Sequence, residues 1–323
     1  MNILVTGANG FAGSHLLDLL LLDKKNNLFG FKKPNARLRN VSHIIEKINW
    51  IEGDLTDSLS VKKAIEISQP DQIYHLGALS WVTPSWIMPT AYFDVNASGT
   101  INLFESIIDQ NINPRILVTG TPEEYGDVLE ENLPITEKTI LNPVNPYAAS
   151  KVAQNAISES YIASYNLQIL RTRAFNHEGP RRDIHGAISS FAYQIANIEI
   201  NNKDKKLYVG NLDAKRNFTH VKDTVKAYQD VMLNGEVGEI YLIGNKTLYS
   251  IKECLDALIS MSSLKDIEII EDPKRVRPSE LNFLLGDYSK FESFSNWKPE
   301  YNLESILKDS LDYWRIFFKE NRY

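Results

Sequence analysis

Tyr147 and Lys151 have the residue types and the spacing of an acid–base pair. They follow Asn145–Pro146, a dipeptide typical of a helix start, and residues four apart lie on one face of a helix. A nearby ammonium stabilises a phenolate and lowers the pKa of the tyrosine, which makes it a usable base for an alcohol proton. Most such pairs lie on solvated helix faces, but Thr119-Gly120-Thr121 shortly before this pair favours a catalytic role.

Three glycines near the N-terminus, Gly7, Gly10 and Gly13, have the spacing of a dinucleotide-binding turn. They follow the apolar run Ile3-Leu4-Val5-Thr6, and Phe11 opens the expected helix. A glycine turn lets the backbone approach a pyrophosphate closely, and the helix N-terminus adds N–H groups and a positive dipole end. This strand–turn–helix context favours a dinucleotide site over a plain structural turn, with Phe11 as part of the site.

The end of the second expected strand indicates which dinucleotide binds. NAD sites place a carboxylate there for the ribose hydroxyls, whereas this chain has Lys32 and Lys33, with Arg37 and Arg39 close behind. Cations at this point suit the 2′-phosphate of NADP, so we expect NADP, with NAD and a solvated basic loop as the alternatives. The remaining cofactor contacts are expected after the third and fourth strands, at Asp54, Leu55, Leu76 and Ala78.

Short apolar runs that alternate with helix-like stretches must position these residues. We expect strands at residues 3–6, 28–31, 48–52, 71–76, 115–119 and 167–171, with helices at about 11–23, 59–68 and 91–110. Such alternation implies right-handed βαβ crossovers and a parallel sheet covered on both faces. The predicted fold class is α/β, a Rossmann-like doubly wound parallel sheet with a smaller mixed α/β C-terminal region.

The rhythm of the sequence changes after Arg173, where proline, glycine, arginine and histidine replace the apolar runs. The stretch from about 217 to 245 returns to the pattern of the sheet. We therefore expect a dinucleotide-binding domain at residues 1–173 plus about 217–245, and a substrate-binding region at residues 174–216 and 246–323.

Composition and charge exclude several classes of protein. The 323 residues are 43% hydrophobic and 24% charged, as in globular domains, and a net charge of −6 gives no overall attraction to nucleic acid or an anionic membrane. A single cysteine, Cys254, allows no internal disulfide and no cysteine-rich zinc site, and we expect no metal. The first residues lack the basic region of a signal peptide, so we expect a cytoplasmic protein.

Nearly the whole chain resembles the extended short-chain dehydrogenase/reductase family of nucleotide-sugar enzymes. The glycine turn, Asp54-Leu55, the segment from Thr121 to Gly126 and the Tyr147/Lys151 pair carry this resemblance. Within the family the chain is most similar to the branch of GDP-mannose 4,6-dehydratases and GDP-4-keto-6-deoxymannose reductases. The segments that carry this similarity are residues 175–182, 210–218, 277–280, 285–287 and 297–299.

The resemblance implies roles for further residues. Tyr147 and Lys151 would act at the sugar O4 together with Thr121, and Glu123 would be the acid/base that removes the C5 proton before water departs from C6. Pro122 stands where some related dehydratases carry an aspartate, so Glu123 or a water would protonate the leaving hydroxyl. Glu124 is expected to be exposed, and His177 to be a structural hydrogen bonder. The residues implied to hold the sugar and its nucleotide diphosphate are Ser80, Asn176, Arg181, Arg216, Arg277 and Glu280.

The function implied by the resemblance is a GDP-sugar 4,6-dehydratase with tightly bound, recycled NADP. Helices around 91–110 and 145–165 would form a homodimer at least, or a tetramer. A glutamate at position 123 also occurs in reductases and epimerases of the family, so a 4-keto-sugar reductase, a C4 dehydrogenase or an epimerase stays open. A catalytically silent dinucleotide-binding protein is the third class, which the presence of Thr121, Tyr147 and Lys151 disfavours.

Overall fold

The computed structural model describes residues 1–275, 281 and 283–320. Its strands are β1 (Asn2–Thr6), β2 (Asn27–Lys32), β3 (Asn49–Glu52), β4 (Gln72–His75), β5 (Arg115–Gly120), β6 (Gln168–Ala174), β7 (His177–Glu178), β8 (Lys206–Val209), β9 (Lys215–Asn217), β10 (Thr219–His220), β11 (Ile240–Ile243), β12 (Leu248–Ser250), β13 (Glu268–Glu271) and β14 (Phe283–Leu284). Its helices are α1 (Phe11–Leu20), α2 (Ser58–Ser68), α3 (Val82–Ser85), α4 (Pro89–Phe93), α5 (Gly99–Asp109), α6 (Pro146–Tyr165), α7 (Ala187–Asn201), α8 (Val221–Asn234), α9 (Ile251–Ser260), α10 (Ser289–Phe294) and α11 (Leu303–Glu320). Within these described ranges, no helix is long and apolar enough to cross a membrane.

The central sheet is parallel, with its strands in the order β11-β6-β5-β4-β1-β2-β3. The chain winds outward from β1 to β3 and then returns to the other side of β1 with β4, so the winding direction reverses between β1 and β4. In doubly wound sheets, ligands bind in the crevice that this reversal opens at the carboxyl ends of the strands. The predicted α/β class with a Rossmann-like parallel sheet is confirmed.

Helices cover both faces of this sheet, and its strands are accordingly continuous apolar runs. On one face, α1 and α8 pack against the strands through Leu16, Leu17, Val225 and Val231. On the other face, α2, α5 and α6 form a second apolar cluster with β1 to β6. Each fully buried Leu or Val contributes about 1.5–3 kcal/mol relative to an exposed one, so the strand ends stand on a rigid support.

The C-terminal part of the chain has its own apolar core, formed by α7, α9 and α11. The short sheets β13-β8 and β12-β9-β14 lie in the same part of the chain, whereas β11 joins the central sheet beside β6. Arg39, which follows β2, connects the two parts. Its guanidinium carbon lies 4.2 Å from the ring centroid of Phe317 on α11. The division of the chain into two domains at the boundaries given above stays a prediction.

The helix predicted over about 91–110 is interrupted by one wider turn. Between α4 and α5, residues 94–98 form a π-helical turn, and the fully buried Asn96 lies in its middle. Single turns of this kind inside helices are frequent at functional sites. Here the wider turn directs the side chain of Asn96 toward the segment after β4.

Glu124 is buried, so the expectation that it is exposed is wrong. Its Oε2 lies 2.8 Å from Nε of Arg173 on β6, and its Oε1 accepts a 2.8 Å hydrogen bond from the backbone N–H of Thr121. Arg173 also donates to the hydroxyl of Tyr125 at 2.9 Å. Both charges are therefore paired in the interior, and the pair holds the loop after β5 against β6.

Replacing Glu124 by glutamine should leave the Arg173 guanidinium buried without its counter-charge. Breaking a buried pair in this way costs roughly 3–5 kcal/mol, so we expect the free energy of unfolding of Glu124→Gln to fall by about 3 kcal/mol in urea titrations. The matched control is Glu131→Gln, an exposed carboxylate of the same loop, for which we expect a change within about 0.5 kcal/mol. Equal losses in the two variants would show that the buried pair does not stabilise the loop.

Candidate active site

The floor of the crevice is made of closely approaching backbone. Gly7, directly after β1, has a φ of +66°, and a Cβ there would lie 2.9 Å from the Cα of Gly77, which follows β4. A Cβ on Gly13 of α1 would lie 2.3 Å from the carbonyl oxygen of Gly7. No side chain fits at Gly7 or Gly13, and the resulting close approach of strand, turn and helix is the one that a bound pyrophosphate requires.

The N-terminus of α1 fits an anionic group. Gly10 is the N-cap residue, so it brings no side-chain acceptor to the N–H groups that open the helix, and residues 11–14 hold no carboxylate. The N–H of Gly10 itself donates to the carbonyl oxygen of Gly7 at 2.9 Å, which orders the turn. The positive end of the helix dipole is therefore open to a negatively charged ligand, as the diphosphate of a dinucleotide is.

The basic residues at the end of β2 are paired with carboxylates at and just after the end of β3, the neighbouring strand. The ammonium of Lys32, whose side chain is buried, pairs with Glu52 at the end of β3, and Nζ of Lys33 lies 3.0 Å from Oδ2 of Asp54. Burial alone would raise the pKa of Asp54, but hydrogen bonds from Thr56 and the pairing with Lys33 hold it below its usual value. The structure thus brings Lys32, Lys33 and Asp54 to one edge of the sheet.

Leu55, Leu76 and Ala78 lie around the glycine floor. Leu55 is buried, and its Cδ1 would be 2.9 Å from a Cβ on Gly77. Leu76 and Ala78 flank Gly77 in the chain and are half-buried, while Ser80 is exposed. The residues predicted from the strand ends therefore do come together next to the turn, although nothing in their contacts shows what they bind.

Asn96 holds the segment after β4, and the sequence analysis missed it. The backbone N–H of Leu79 donates to Oδ1 of Asn96, and Nδ2 of Asn96 donates to the carbonyl of Leu79, each at 2.9 Å. The same nitrogen donates to Oγ of Ser150 on α6 at 2.9 Å. Asn96 thereby joins this segment to the helix that carries Tyr147. No sequence signal reveals the link, because the π-helical turn exists only in the folded helix.

Tyr147 lies in the first turn of α6, which Asn145 caps by accepting a 2.8 Å hydrogen bond from the N–H of Ala148. The tyrosine is buried, and its hydroxyl is hydrogen-bonded to the side chain of Thr121. Burial raises the pKa of Tyr147, and the Thr121 hydrogen bond and the charge of Arg182 offset this only in part. The expectation of a lowered pKa is therefore wrong for this phenol, because the loss of water around it is the largest effect.

Glu123 is brought to the same place by the residue that caps α6. Nδ2 of Asn145 donates to Oε2 of Glu123 at 3.0 Å, while Oδ1 of Asn145 holds the helix start. The carboxylate is close enough for its charge to act on the phenol of Tyr147. Thr121, Glu123 and Tyr147 are thus brought together. In the sequence, Asn145 is only a helix-start signal, and its link to Glu123 is visible only in the fold.

Lys151 lies one turn after Tyr147 and is 3% exposed. Its Nζ donates to the carbonyl oxygen of Thr119, at the end of β5, and to Oε1 of Gln154, each at 2.9 Å. Burial lowers the pKa of Lys151 to about 8, against the opposing effect of the charge on Glu124. Below that pH the side chain is an ammonium that stabilises negative charge on a neighbouring oxygen.

Arg182 is a cation of the site that the sequence analysis did not single out. Its guanidinium carbon lies 5.0 Å from the ring centroid of Phe11 and 4.9 Å from that of Trp81, so it lies between the start of α1 and the segment after β4. Its Nε is 3.0 Å from Oε1 of the buried Glu178. The charge of Arg182 also acts on Tyr147, which places a fixed positive charge beside the catalytic candidates.

Arg181 is oriented differently from its neighbour, because its backbone is left-handed, with a φ of +70°. Its NH1 donates to Oδ2 of Asp18 on α1 at 2.7 Å, so its charge is already paired, and its role toward a nucleotide stays a prediction.

The ring of His177 donates from Nδ1 to the carbonyl of Phe175 at 3.1 Å. Burial lowers the pKa of His177 to about 4, so this ring is a neutral hydrogen bonder.

The other residues predicted to hold a nucleotide differ in how their polar atoms are used. Oδ1 of Asn176 is buried and lacks a hydrogen-bond partner among the described residues, a costly state that a donor on a ligand would relieve. The buried Arg216 donates from NH2 to the carbonyl of Leu281 at 2.6 Å. Arg277 and Glu280 lie outside the described residues. Where the structure describes the chain, no group of three or more His, Cys, Asp or Glu could hold a metal ion.

Comparison with known proteins identifies the family. The family model of GDP-mannose 4,6 dehydratase matches residues 4–310. The chain is similar to the GDP-6-deoxy-D-mannose reductase of Pseudomonas aeruginosa, with 29% identity over 319 residues that cover 98% of both chains. It is also similar to GDP-mannose 4,6 dehydratase 1 of Arabidopsis thaliana, with 31% identity over 325 residues that cover 96% of this chain and 88% of the relative. Among solved structures, RMD from Pseudomonas aeruginosa complexed with NADPH has a TM-score of 0.84 and 26% identity, covering 98% of this chain and 100% of that one. The chain belongs to the GDP-mannose 4,6 dehydratase family.

Proposed function

We propose that this chain is an NADP-dependent GDP-sugar 4,6-dehydratase, which forms a 4-keto-6-deoxy sugar. One observation carries the proposal: Asn145 joins the carboxylate of Glu123 to the helix turn that presents Tyr147, whose hydroxyl is bonded to Thr121. A base for an alcohol proton and a carboxylate for a C–H proton therefore lie side by side. Membership of the family agrees with this chemistry.

Tyr147 is the proposed base for the proton of the sugar O4, with the hydroxyl of Thr121 hydrogen-bonded to the same oxygen. The buried phenol needs a positive charge to ionise, and the ammonium of Lys151, fixed by Thr119 and Gln154, is the proposed source of it. When bound, NADP supplies a group that accepts the hydride leaving C4 and later donates it to C6.

Glu123 is the proposed acid/base for the loss of water. A ketone at C4 acidifies the proton on C5, and the carboxylate of Glu123 takes that proton. The electron pair of the C5–H bond then forms the C5=C6 double bond while the C6–O bond breaks. Pro122 carries no acid, so the proton that Glu123 has taken goes to the departing oxygen, and water leaves with no net gain or loss of protons.

One cation and an amide oxygen support a nucleotide diphosphate as the substrate group, the cation for the phosphates and the oxygen for a hydroxyl or N–H of the nucleoside. Asn176 offers a buried, unpartnered oxygen, and Arg182 presents its charge between Phe11 and Trp81. We propose that Ser80, Asn176, Arg181, Arg216, Arg277 and Glu280 hold the sugar nucleotide. The names of the relatives support a GDP-linked sugar.

NADP is proposed over NAD because β2 ends in lysines rather than a carboxylate. The cofactor contacts proposed are those of Gly7, Gly10, Phe11, Gly13, Lys32, Lys33, Asp54, Leu55, Leu76, Ala78, Tyr147 and Lys151. The RMD structure of Pseudomonas aeruginosa, which is complexed with NADPH, supports the same choice.

A 4-keto-sugar reductase is the second candidate function. The Pseudomonas aeruginosa relative named as a reductase covers 98% of this chain, and Pro122 departs from the dehydratases that carry an aspartate at this position. The same Thr121, Tyr147 and Lys151 would then protonate O4 rather than deprotonate it. A homodimer through α5 and α6 and a cytoplasmic location remain proposals from the sequence.

The dehydratase proposal predicts the loss of one water from a GDP-hexose without added reductant. We expect mass spectrometry of the protein incubated with GDP-, CDP-, dTDP- and UDP-sugars to show a product lighter by one water from the GDP-linked sugar. Consumption of one NADPH for each keto-sugar, with no water lost from any hexose, would establish the reductase instead.

Glu123→Gln should lower the rate of water loss by about 10²–10⁴-fold, because an amide cannot take the C5 proton. The matched control is Glu130→Gln, an exposed carboxylate of the same loop, which should keep the rate of the unchanged protein. Tyr147→Phe should abolish turnover. A Glu123→Gln protein that eliminates water as fast as the control would refute the role given to Glu123.

Lys33→Ala should weaken the binding of NADPH about tenfold, or about 1.4 kcal/mol, and the binding of NADH far less, because only NADPH carries the 2′-phosphate. Fluorescence titration of both nucleotides measures the two dissociation constants. Lys47→Ala, which removes an exposed lysine downstream of β2, is the control for general loss of positive charge. Equal weakening of both nucleotides by Lys33→Ala would contradict the proposed contact.

A further inference from the structure

A buried hydrogen-bond network joins the ammonium of Lys151 to the floor of the crevice. Nζ of Lys151 donates to Oε1 of Gln154 at 2.9 Å, and Nε2 of Gln154 donates to Oγ1 of Thr100 at 2.8 Å. Nε2 of His75 lies 3.0 Å from the same Thr100 oxygen, and its Nδ1 lies 2.8 Å from Oγ1 of Thr6. We call these five residues the lysine network, and none of them is more than 3% exposed.

The direction of every hydrogen bond in the lysine network follows from the chemistry of its members. An ammonium only donates, so the carbonyl of Gln154 must face Lys151, and its amide nitrogen must face Thr100. The hydroxyl proton of Thr100 goes to the backbone carbonyl of Asn96 at 2.7 Å. Thr100 must therefore accept from His75, which fixes the imidazole proton on Nε2.

The other end of the lysine network reaches the turn of the crevice. With its proton on Nε2, His75 accepts at Nδ1 from the hydroxyl of Thr6, and the oxygen of Thr6 accepts from the N–H of Gly77 at 2.9 Å. Thr6 ends β1, and a Cβ on Gly7 would touch Gly77. The network thus spans from the lysine of α6 across α5 and β4 to the point where the winding of the sheet reverses.

The lysine network does not carry protons. Burial, together with the charge of Lys151, lowers the pKa of His75 to about 3, so the imidazole is neutral at neutral pH. An amide and two hydroxyls complete the chain, and each already has its donors and acceptors assigned. What the network holds in place is the carbonyl oxygen of Gln154.

We propose that Gln154 is a positioning residue for Lys151, and that Thr100 and His75 act through it by fixing the orientation of its amide. Two of the three N–H groups of the ammonium are held, one by Thr119 and one by Gln154, so these acceptors fix the direction of the third, which the proposed function assigns to Tyr147 or a bound ligand. The inference rests on the role proposed for Lys151 in C4 oxidation. Loss of the Gln154 carbonyl would destabilise the ammonium and free it to turn.

Several other groups face Lys151, and the variants below leave all of them in place. The charged and titratable groups near it are Glu124 in the loop after β5, His75 on β4, and Arg171 and Arg173 on β6, while Tyr147 lies one turn earlier on α6. Because these groups are unchanged, a shift in the pKa of Lys151 between the variants reports on position 154 itself.

The test measures the pKa of Lys151 directly, by carbon-13 NMR of full-length protein labelled at the lysine Cε. The resonance that is missing from Lys151→Arg identifies the side chain. We expect Gln154→Met, which keeps the volume and removes the carbonyl, to lower this pKa by about one unit, since an ammonium that loses an acceptor is less stable. The alkaline limb of the kcat profile should move to lower pH by a similar amount, with KM changed by less than about threefold.

A second substitution at the same position should act in the opposite direction. Gln154→Glu places a carboxylate against the ammonium and should raise the pKa of Lys151 by about one unit or more. Thr100→Val leaves the Gln154 carbonyl but removes the hydroxyl that holds the Gln154 amide, so we expect it to lower the pKa of Lys151 by less than Gln154→Met does. Thr100→Ser keeps a hydroxyl and should leave the pKa of Lys151 unchanged. If substitution of Gln154 prevents folding, the conservative Thr100 variants still test the proposal.

Ser158→Ala is the matched control, since Ser158 is buried one turn further along α6 and its hydroxyl donates to the backbone carbonyl of Gln154 at 2.8 Å rather than to its side chain. It should leave the pKa of Lys151 and the pH profile unchanged. Shifts of the same sign for Gln154→Met and Gln154→Glu, or no shift beyond about 0.3 units in either, would overturn the proposal. Absence of turnover with every sugar nucleotide would defeat the proposed function alone, because the NMR titration needs no substrate.

Discussion

Burial of the Lys151 ammonium is the constraint on which the arrangement of this site depends. A fall in the pKa of Lys151 from 10.5 to about 8 means that the protein is less stable at neutral pH by roughly 3 kcal/mol than it would be with this group in water. Because the unfolded chain holds this proton up to higher pH, the loss disappears only as the pH rises from about 8 past 10.5. The role proposed for Lys151 in C4 oxidation gives this cost a use, since perturbed ionisable groups of this kind cluster at functional sites.

The cost is limited by neighbours that come from several elements. The end of β5 supplies the carbonyl of Thr119, α6 supplies Gln154, and the loop after β5 supplies the charge of Glu124. These three groups meet only when β5, α6 and the loop are in their final positions. The same packing sets the position of the start of α6, which carries Asn145 and Tyr147. The position of the phenol and the state of the ammonium are therefore consequences of one set of contacts at the carboxyl end of the sheet.

Local chemistry in the sequence was enough to predict the sheet and its glycine turn. Gly7 and Gly13 are required because a Cβ at either position would meet backbone atoms, and that requirement shows in residue type and spacing. The arginines after Pro180 are the opposite case. Only the left-handed backbone of Arg181 sends its side chain to Asp18 and leaves Arg182 facing Phe11. A conformation of that kind depends on the surroundings of the turn, which the residue types alone do not encode.

Gln154 and Asn96 were missed for a related reason. Gln154 lies three residues after Lys151, a spacing that places the two on one helix face, but a glutamine there is ordinary in any helix. Its meaning comes from Thr100 and His75, which are 54 and 79 residues earlier in the chain and reach it through α5 and β4. Asn96 needs the π-helical turn before it can reach Leu79. Contacts between distant elements decide both roles.

The adjacent glutamates Glu123 and Glu124 contact different partners in the fold. Pro122 follows the N-cap Thr121 and starts a tight turn, so Glu123 and Glu124 leave the backbone in different directions. Glu124 meets the guanidinium of Arg173, and this buried ion pair holds the loop after β5 against β6. Glu123 receives a hydrogen bond from the amide of Asn145, which orients the carboxylate at the start of α6. An acid/base must hold a proton in one step and release it in the next, and a proton on Glu124 would leave the buried Arg173 guanidinium without its counter-charge. The acid/base role proposed for Glu123 agrees with this arrangement, because the fold uses Glu124 to pair Arg173 and brings Glu123 to Asn145 and Tyr147.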